Sequence, residues 1–267
     1  MSKNKKYGFT GKTRKIDGHI LHQIIALIDI CITVREGDIG GWIEREENLS
    51  HVGKCWVANN ACVFGEARIY GDAFIDDDAW IFGSARVFGK AQVYGHAKIY
   101  DNARIHDHGT VSEYAQVFGD ATICYHSVVR EWSKVSGRAK VKTGPDLIKS
   151  VGGRAQVTGK AVIYESGKID EDAFISDDAR LSGHAILKGS AKMTDRSMAY
   201  GHAEISGHAH LGGSALAFDN AKITDHASVL GDVRVFDEGR VVENANLRKR
   251  TQVHECQIYG SFGLVVS

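Results

Sequence analysis

The chain has 267 residues, with 33 basic side chains balanced by 33 acidic ones, 30 glycines, one proline and 43% hydrophobic residues. A formal net charge of zero leaves no global field to draw it to nucleic acid or to an anionic membrane, so neither partner is expected. Five scattered cysteines (Cys31, Cys55, Cys62, Cys124 and Cys256) are odd in number and lack CxxC spacing. That pattern argues against a disulfide scaffold or a zinc ribbon and for reduced structural thiols.

The basic start, Lys3, Lys5 and Lys6, is followed by an apolar stretch over residues 19–34. His22 and Asp29 interrupt it, no small-residue cleavage site follows, and it is too short to span a bilayer. It therefore reads as strands rather than as a signal or an anchor, and a cytoplasmic location is the expectation. Residues 1–52 lack the period that follows and are read as a small N-terminal β cap, with Trp42 and Trp56 packed as its core. A cap is needed because the open end of a β-helix would otherwise offer unpaired backbone groups to another chain.

From Val57 an aliphatic residue returns at every sixth position, through Val63, Ile69, Ile75, Ile81, Val87, Val93, Ile99 and Ile105 to Val141. The same ladder resumes at Val157 and runs through Ile163, Leu181 and Ile205 to Val253. Alanine stands two residues before most rungs, as at Ala61, Ala67 and Ala73, and glycine two after many, as at Gly65, Gly71 and Gly83. A period of six fits neither the 3.6 of a helix nor a simple alternating hairpin. It fits a single-stranded, three-sided parallel β-helix of all-β class. In such a coil the β-branched rung points inward, and Gly, Asp or Asn turns each corner at positive φ. Three units per coil give roughly ten or eleven coils.

The repeat is assigned to residues 53–255, with a closing segment over 256–267. Between Val141 and Val157 four extra residues shift the phase, so an inserted loop is placed near 142–156, around the turn-forming run Lys142-Thr143-Gly144-Pro145-Asp146.

Residues eighteen apart stack one coil above another, which turns the sequence into a map of the outer faces. Phe64, Phe82, Tyr100 and Phe118 form one apolar line, with Trp80 beside it, and Tyr164, Tyr200, Phe218 and Phe236 form another. Such a stripe reads as a surface for self-association. A neighbouring line, Arg68, Arg86, Arg104 and Lys140, runs beside Tyr70, Phe88 and His106. Positive charge interleaved with rings is what a small anionic or nucleotide ligand requires. Three histidine pairs fall in register: His184 with His202, His208 with His226, and His108 with His126. Pairs alone do not complete a metal's ligand set, so no metal is expected. Paired acids such as Asp76-Asp77-Asp78 are read as turn residues.

The units Val87-Phe88-Gly89-Lys90-Ala91-Gln92 and Val93-Tyr94-Gly95-His96-Ala97-Lys98 resemble the hexapeptide-repeat left-handed β-helix of bacterial acyltransferases. Together with the run Gly37-Asp38-Ile39-Gly40-Gly41-Trp42-Ile43 leading to Cys55-Trp56-Val57, they are closer still to the YdcK-like acetyltransferases of bacteria and their phages. The resemblance implies a left-handed coil, a homotrimer packed along a coil face, acetyl-CoA or another acyl-CoA as donor, and an active site in an intersubunit cleft. A histidine would take the acceptor's proton there, and His202 and His184 are the candidates. The chain departs from that pattern. It lacks a proline-containing G-x-P-A segment and a closing helix, and its repeat places Gly two residues after the rung. Two readings therefore stand: a rigid oligomeric binding or scaffold module for an anionic, nucleotide-like ligand, and an acyl-CoA-dependent acyltransferase.

Overall fold

A computed structural model describes residues 5–144, 150–255, 257–261 and 263–266. The fold is all-β, a parallel solenoid of about 12 turns, with no α-helix among the described residues and a single 3-10 turn at Glu46–Asn48. No helix is long and apolar enough to cross a membrane. The chain divides into two compact units, residues 1–126 and 127–267.

In the first unit successive rungs fall in turn onto three parallel stacks. One holds Val63, Ile81, Ile99 and Val117, the next Ile69, Val87, Ile105 and Ile123, and the third Val57, Ile75, Val93 and Val111. Each of these side chains is buried, and so is the alanine two residues before it in nearly every unit. The second unit repeats the arrangement, with stacks led by Val129, Val135 and Val141.

The parallel stack starts earlier than the period does. Strand β1 (Tyr7–Ile16) pairs antiparallel with β2 (His19–Ala26), which pairs antiparallel with β3 (Ile39–Ile43). Strand β3 lies parallel to Cys62–Val63, and Leu49 bridges Ile69. Residues 39–52, read from sequence as cap, thus form the first coil, and only β1 and β2 stand outside it. Such added rungs account for the excess over ten or eleven coils. Gly41 is required at this junction, because a Cβ there would lie 2.7 Å from the Ala61 carbonyl oxygen. Trp56 is buried against the neighbouring Gly40.

The four-residue insertion appears as a change of register. Val135 pairs with Val157, a separation of 22 residues as in the Ser136–Thr158 hydroxyl pair, and the separation then returns to 18. Val151 bridges both Val129 and Ile169, so it is a rung that the sixfold count, restarted at Val157, passed over. The insertion therefore falls between Val141 and Val151. Pro145 and Asp146 lie outside the described residues. At its base, Thr143 is held by the Ser150 hydroxyl at 2.5 Å, and its amide donates to the Ser127 hydroxyl at 2.8 Å.

Corners at positive φ hold Gly, as at Gly95 with φ 70°, but also many acids, including Asp77, Asp107, Glu165 and Asp195. Their carboxylates have a use that glycine cannot offer. Asp77 accepts from the Gly95 amide at 2.9 Å, Asp195 from Gly213 at 2.8 Å, and Glu165 from Gly183 at 2.7 Å, each one coil onward. A hydrogen bond from an amide to an ionised acceptor offsets the steric cost of the left-handed conformation.

Two outcomes are expected. Ile99→Asp buries an unpaired carboxylate and should lower stability to urea by at least ~3 kcal/mol, whereas exposed Lys98→Asp should cost no more than about 1 kcal/mol. Equal losses would sink the rung assignment. The Gly213 amide holds the Asp195 carboxyl below its usual pKa, so its contribution is complete above the unfolded value of about 4 and is lost as pH falls through the folded one. Asp195→Asn should therefore flatten the acid limb of a plot of Tm against pH; an unchanged slope would refute the corner's electrostatic role.

Candidate functional site

Two outward columns run along one face of the first unit, on either side of the buried rungs Ile69, Val87 and Ile105. One is Arg68, Arg86 and Arg104, whose backbones pair directly from coil to coil. The other is Tyr70, Phe88 and His106. Tyr70 stacks on Phe88 at 4.8 Å between ring centroids, and Phe88 on His106 at 4.9 Å. Three guanidinium groups in register repel one another, and none of them forms an ion pair among the described residues. By contrast, Arg45 and Arg154 each face a carboxylate.

Over the first coil of this face, residues 46–51 wall a cavity of about 430 Å³. Arg68, Arg86 and Tyr70 line one side and Glu46, Glu47 and His51 the other. The wall is fixed from behind. The Tyr7 hydroxyl donates to the Leu49 carbonyl at 2.9 Å, His51 stacks on the Tyr7 ring at 4.3 Å, and the Asn48 amide donates to the Ala67 carbonyl at 2.9 Å. Buried Lys6 ties the same region to the Cys55 carbonyl at 2.7 Å. Burial pushes the His51 imidazole below its ordinary pKa, while the Lys5 ammonium keeps the Glu46 carboxyl low. The cavity thus opposes two unpaired guanidiniums to a wall of carboxylates around a largely neutral imidazole.

Of the sequence-predicted ligand residues, Arg68, Arg86 and Tyr70 come together here. Phe88 and Arg104 continue the two columns beyond the cavity, and Lys140 belongs to the second unit. The apolar line is stacked as read, with Phe64, Phe82, Tyr100 and Phe118 at 4.9 to 5.2 Å. Phe64, however, is only 4% exposed, because it packs with Leu21 and Cys62 under the N-terminal hairpin. It is therefore unavailable to a partner. Trp80, Phe82, Tyr100 and Phe118 are half-buried, and Lys98 lies over the Trp80 ring at 5.1 Å. The most exposed aliphatic side chains of this unit, Ile20, Ile32, Ile39 and Val52, lie instead on the first 52 residues.

In the second unit His184 and His202 stack at 5.0 Å and are exposed. Neither imidazole has a hydrogen-bond partner among the described residues, and each is oriented only by the other's ring. The sequence reading missed His210. Its Nε2 lies 2.9 Å from the Thr194 hydroxyl, which in turn donates to Asp195 at 3.0 Å. Burial keeps His210 below its ordinary pKa, so the imidazole is neutral near pH 7. With that one hydroxyl proton on Asp195, the His210 Nε2–H is the donor to Thr194, so the contact fixes the imidazole and does not activate the hydroxyl.

Fold and faces together define a parallel β-solenoid protein with a mixed-charge cavity at its N-terminal coil. The chain matches no protein-family model, and comparison with curated proteins yields no relative.

Because His210 is depressed in the folded state, the unfolded chain takes up its proton first as pH falls below about 6.5, and stability declines from there toward the folded pKa. His210→Gln should remove that part of the decline in chemical-denaturation curves between pH 7 and 5; an identical slope would contradict the assignment.

Proposed function

We propose that the chain is a rigid solenoid binding module for a small phosphate-bearing ligand, in the simplest case a nucleotide, held on the arginine column of the first unit. One observation carries this reading: Arg68 and Arg86, adjacent in register and without ion-pair partners among the described residues, line the same cavity as Tyr70. A phosphate bridging the two guanidiniums relieves their repulsion and accepts forked hydrogen bonds, and a base or sugar ring lies against Tyr70. Glu46 and Glu47 opposite then accept from hydroxyl or amino groups of the ligand, which favours a nucleotide over bare phosphate.

The module acts as a homo-oligomer, a trimer in the simplest case, joined along Trp80, Phe82, Tyr100 and Phe118. Support comes from the half-buried, co-stacked rings on that face.

A second reading is an acyl-CoA-dependent acyltransferase. Coenzyme A also carries phosphates and an adenine, and the Thr194 hydroxyl, accepting from His210 Nε2–H, orients a neutral imidazole whose Nδ1 is the nitrogen that takes an acceptor's proton. His184 and His202 lack such support. This reading requires release of free CoA from an acyl-CoA, abolished by His210→Gln.

The test is native mass spectrometry of the purified chain with ADP, ATP and CoA, joined to thermal shift. A bound nucleotide at a hundred times its Kd should add ~2.7 kcal/mol to stability. Arg86→Ala should weaken binding at least tenfold and reduce its salt dependence, leaving the ligand-free melting temperature within a degree or two. Retention of no phosphate-bearing ligand, or equal affinity in Arg86→Ala, refutes the site, and a monomeric mass refutes the assembly.

A further inference from the structure

The corner that follows Ile105 differs from the other acid-bearing corners of the first unit. At Asp101 the carboxylate that caps the next coil is flanked by Tyr100 and, one coil onward, by Phe118. At Asp107 the corresponding positions are His106 and Cys124, and one donor atom from each of His106, Asp107 and Cys124 lies within 4.8 Å of the other two. We propose that these three side chains form a binding site for a borderline transition-metal ion, with zinc the best match.

The donor set selects the metal. A thiolate and an imidazole exclude magnesium and calcium, which take oxygen ligands, and a carboxylate completes three arms of a tetrahedron with the fourth open to water. Tetrahedral zinc holds its ligand atoms about 3.5 Å apart, so side-chain rotation of roughly an ångström closes the site without moving the backbone.

The surroundings already orient two of the arms. The Tyr125 amide donates to Asp107 Oδ2 at 3.2 Å, fixing the carboxylate at the corner, and His106 Nδ1 lies 3.2 Å from that same oxygen. The Phe88 ring, stacked on His106, sets the plane of the imidazole. Cys124 is buried, at 6% exposure, and the backbone of Thr122–Tyr125 that carries it pairs in register with that of Arg104 and Ile105. On coordination the Cys124 thiol gives its proton to solvent and binds as thiolate.

Cobalt(II) is the probe, because a thiolate ligand gives it a charge-transfer band that oxygen and nitrogen ligands alone do not. The metal-stripped full-length chain should take up one equivalent of cobalt with that band, and zinc should displace it. Cys124→Ser should abolish the band and weaken binding at least ~100-fold, and His106→Gln and Asp107→Asn should each weaken it at least ~10-fold. Thermal melts of the metal-free variants establish that each is folded; if Cys124→Ser is not, half-buried His106→Gln carries the test. A chain that gives no thiolate band overturns the proposal. So does a band that survives Cys124→Ser, or a cobalt affinity unchanged in His106→Gln, since the metal would then be held elsewhere, as at Cys31, Cys55, Cys62 or Cys256.

Discussion

The surface of this protein is set by one backbone contact, the hydrogen bond from an outward residue's amide to the carbonyl of a rung on the next coil. Phe64 donates in this way to Ile81 at 3.0 Å and Tyr100 to Val117 at 3.1 Å. Because this contact recurs coil after coil, an outward side chain meets the equivalent one about 4.8 Å away. Like therefore stands on like. Aromatic rings gain from that arrangement, as Phe82 and Tyr100 do with planes only 5° apart. Guanidiniums lose by it, and Arg68 and Arg86 accept the loss with no ion-paired carboxylate among the described residues.

The same contact explains why the solenoid can carry chemistry without a cleft of its own. A flat face of short strands has no depth, and the cavity over the arginine column is made by residues 46–51, a segment held over the face by Tyr7, Asn48 and Lys6. Depth thus comes from the non-repeating start of the chain, and charge and rings come from the repeat. The Thr194–His210 contact shows another route, in which residues on either side of the buried column reach across it diagonally.

The rungs were legible because one inward position per unit must be aliphatic, and nothing else in the chain obeys so strict a period. The stacked columns followed from arithmetic. Val151 was lost because the count restarted at Val157, although six residues back would have reached it. The burial of Phe64 could not be read, since it depends on a hairpin whose pairing with the coil has no periodic signature. Thr194 and His210 stand 16 residues apart, off the vertical register, so a map of eighteens does not join them. His106 and Cys124 do stand in register, but pairing histidine only with histidine passed over the thiol.

The acids at the corners also act on the chain before it folds. A coil built with glycine at every corner would release, on unfolding, a backbone with the widest conformational freedom of any residue. Asp, Glu or Tyr125 at those positions narrows the unfolded ensemble, and each such replacement is worth up to ~1 kcal/mol when the folded geometry tolerates it. The capping carboxylate supplies that tolerance. The solenoid therefore draws part of its stability from its disordered state, through corners whose folded geometry alone would look strained.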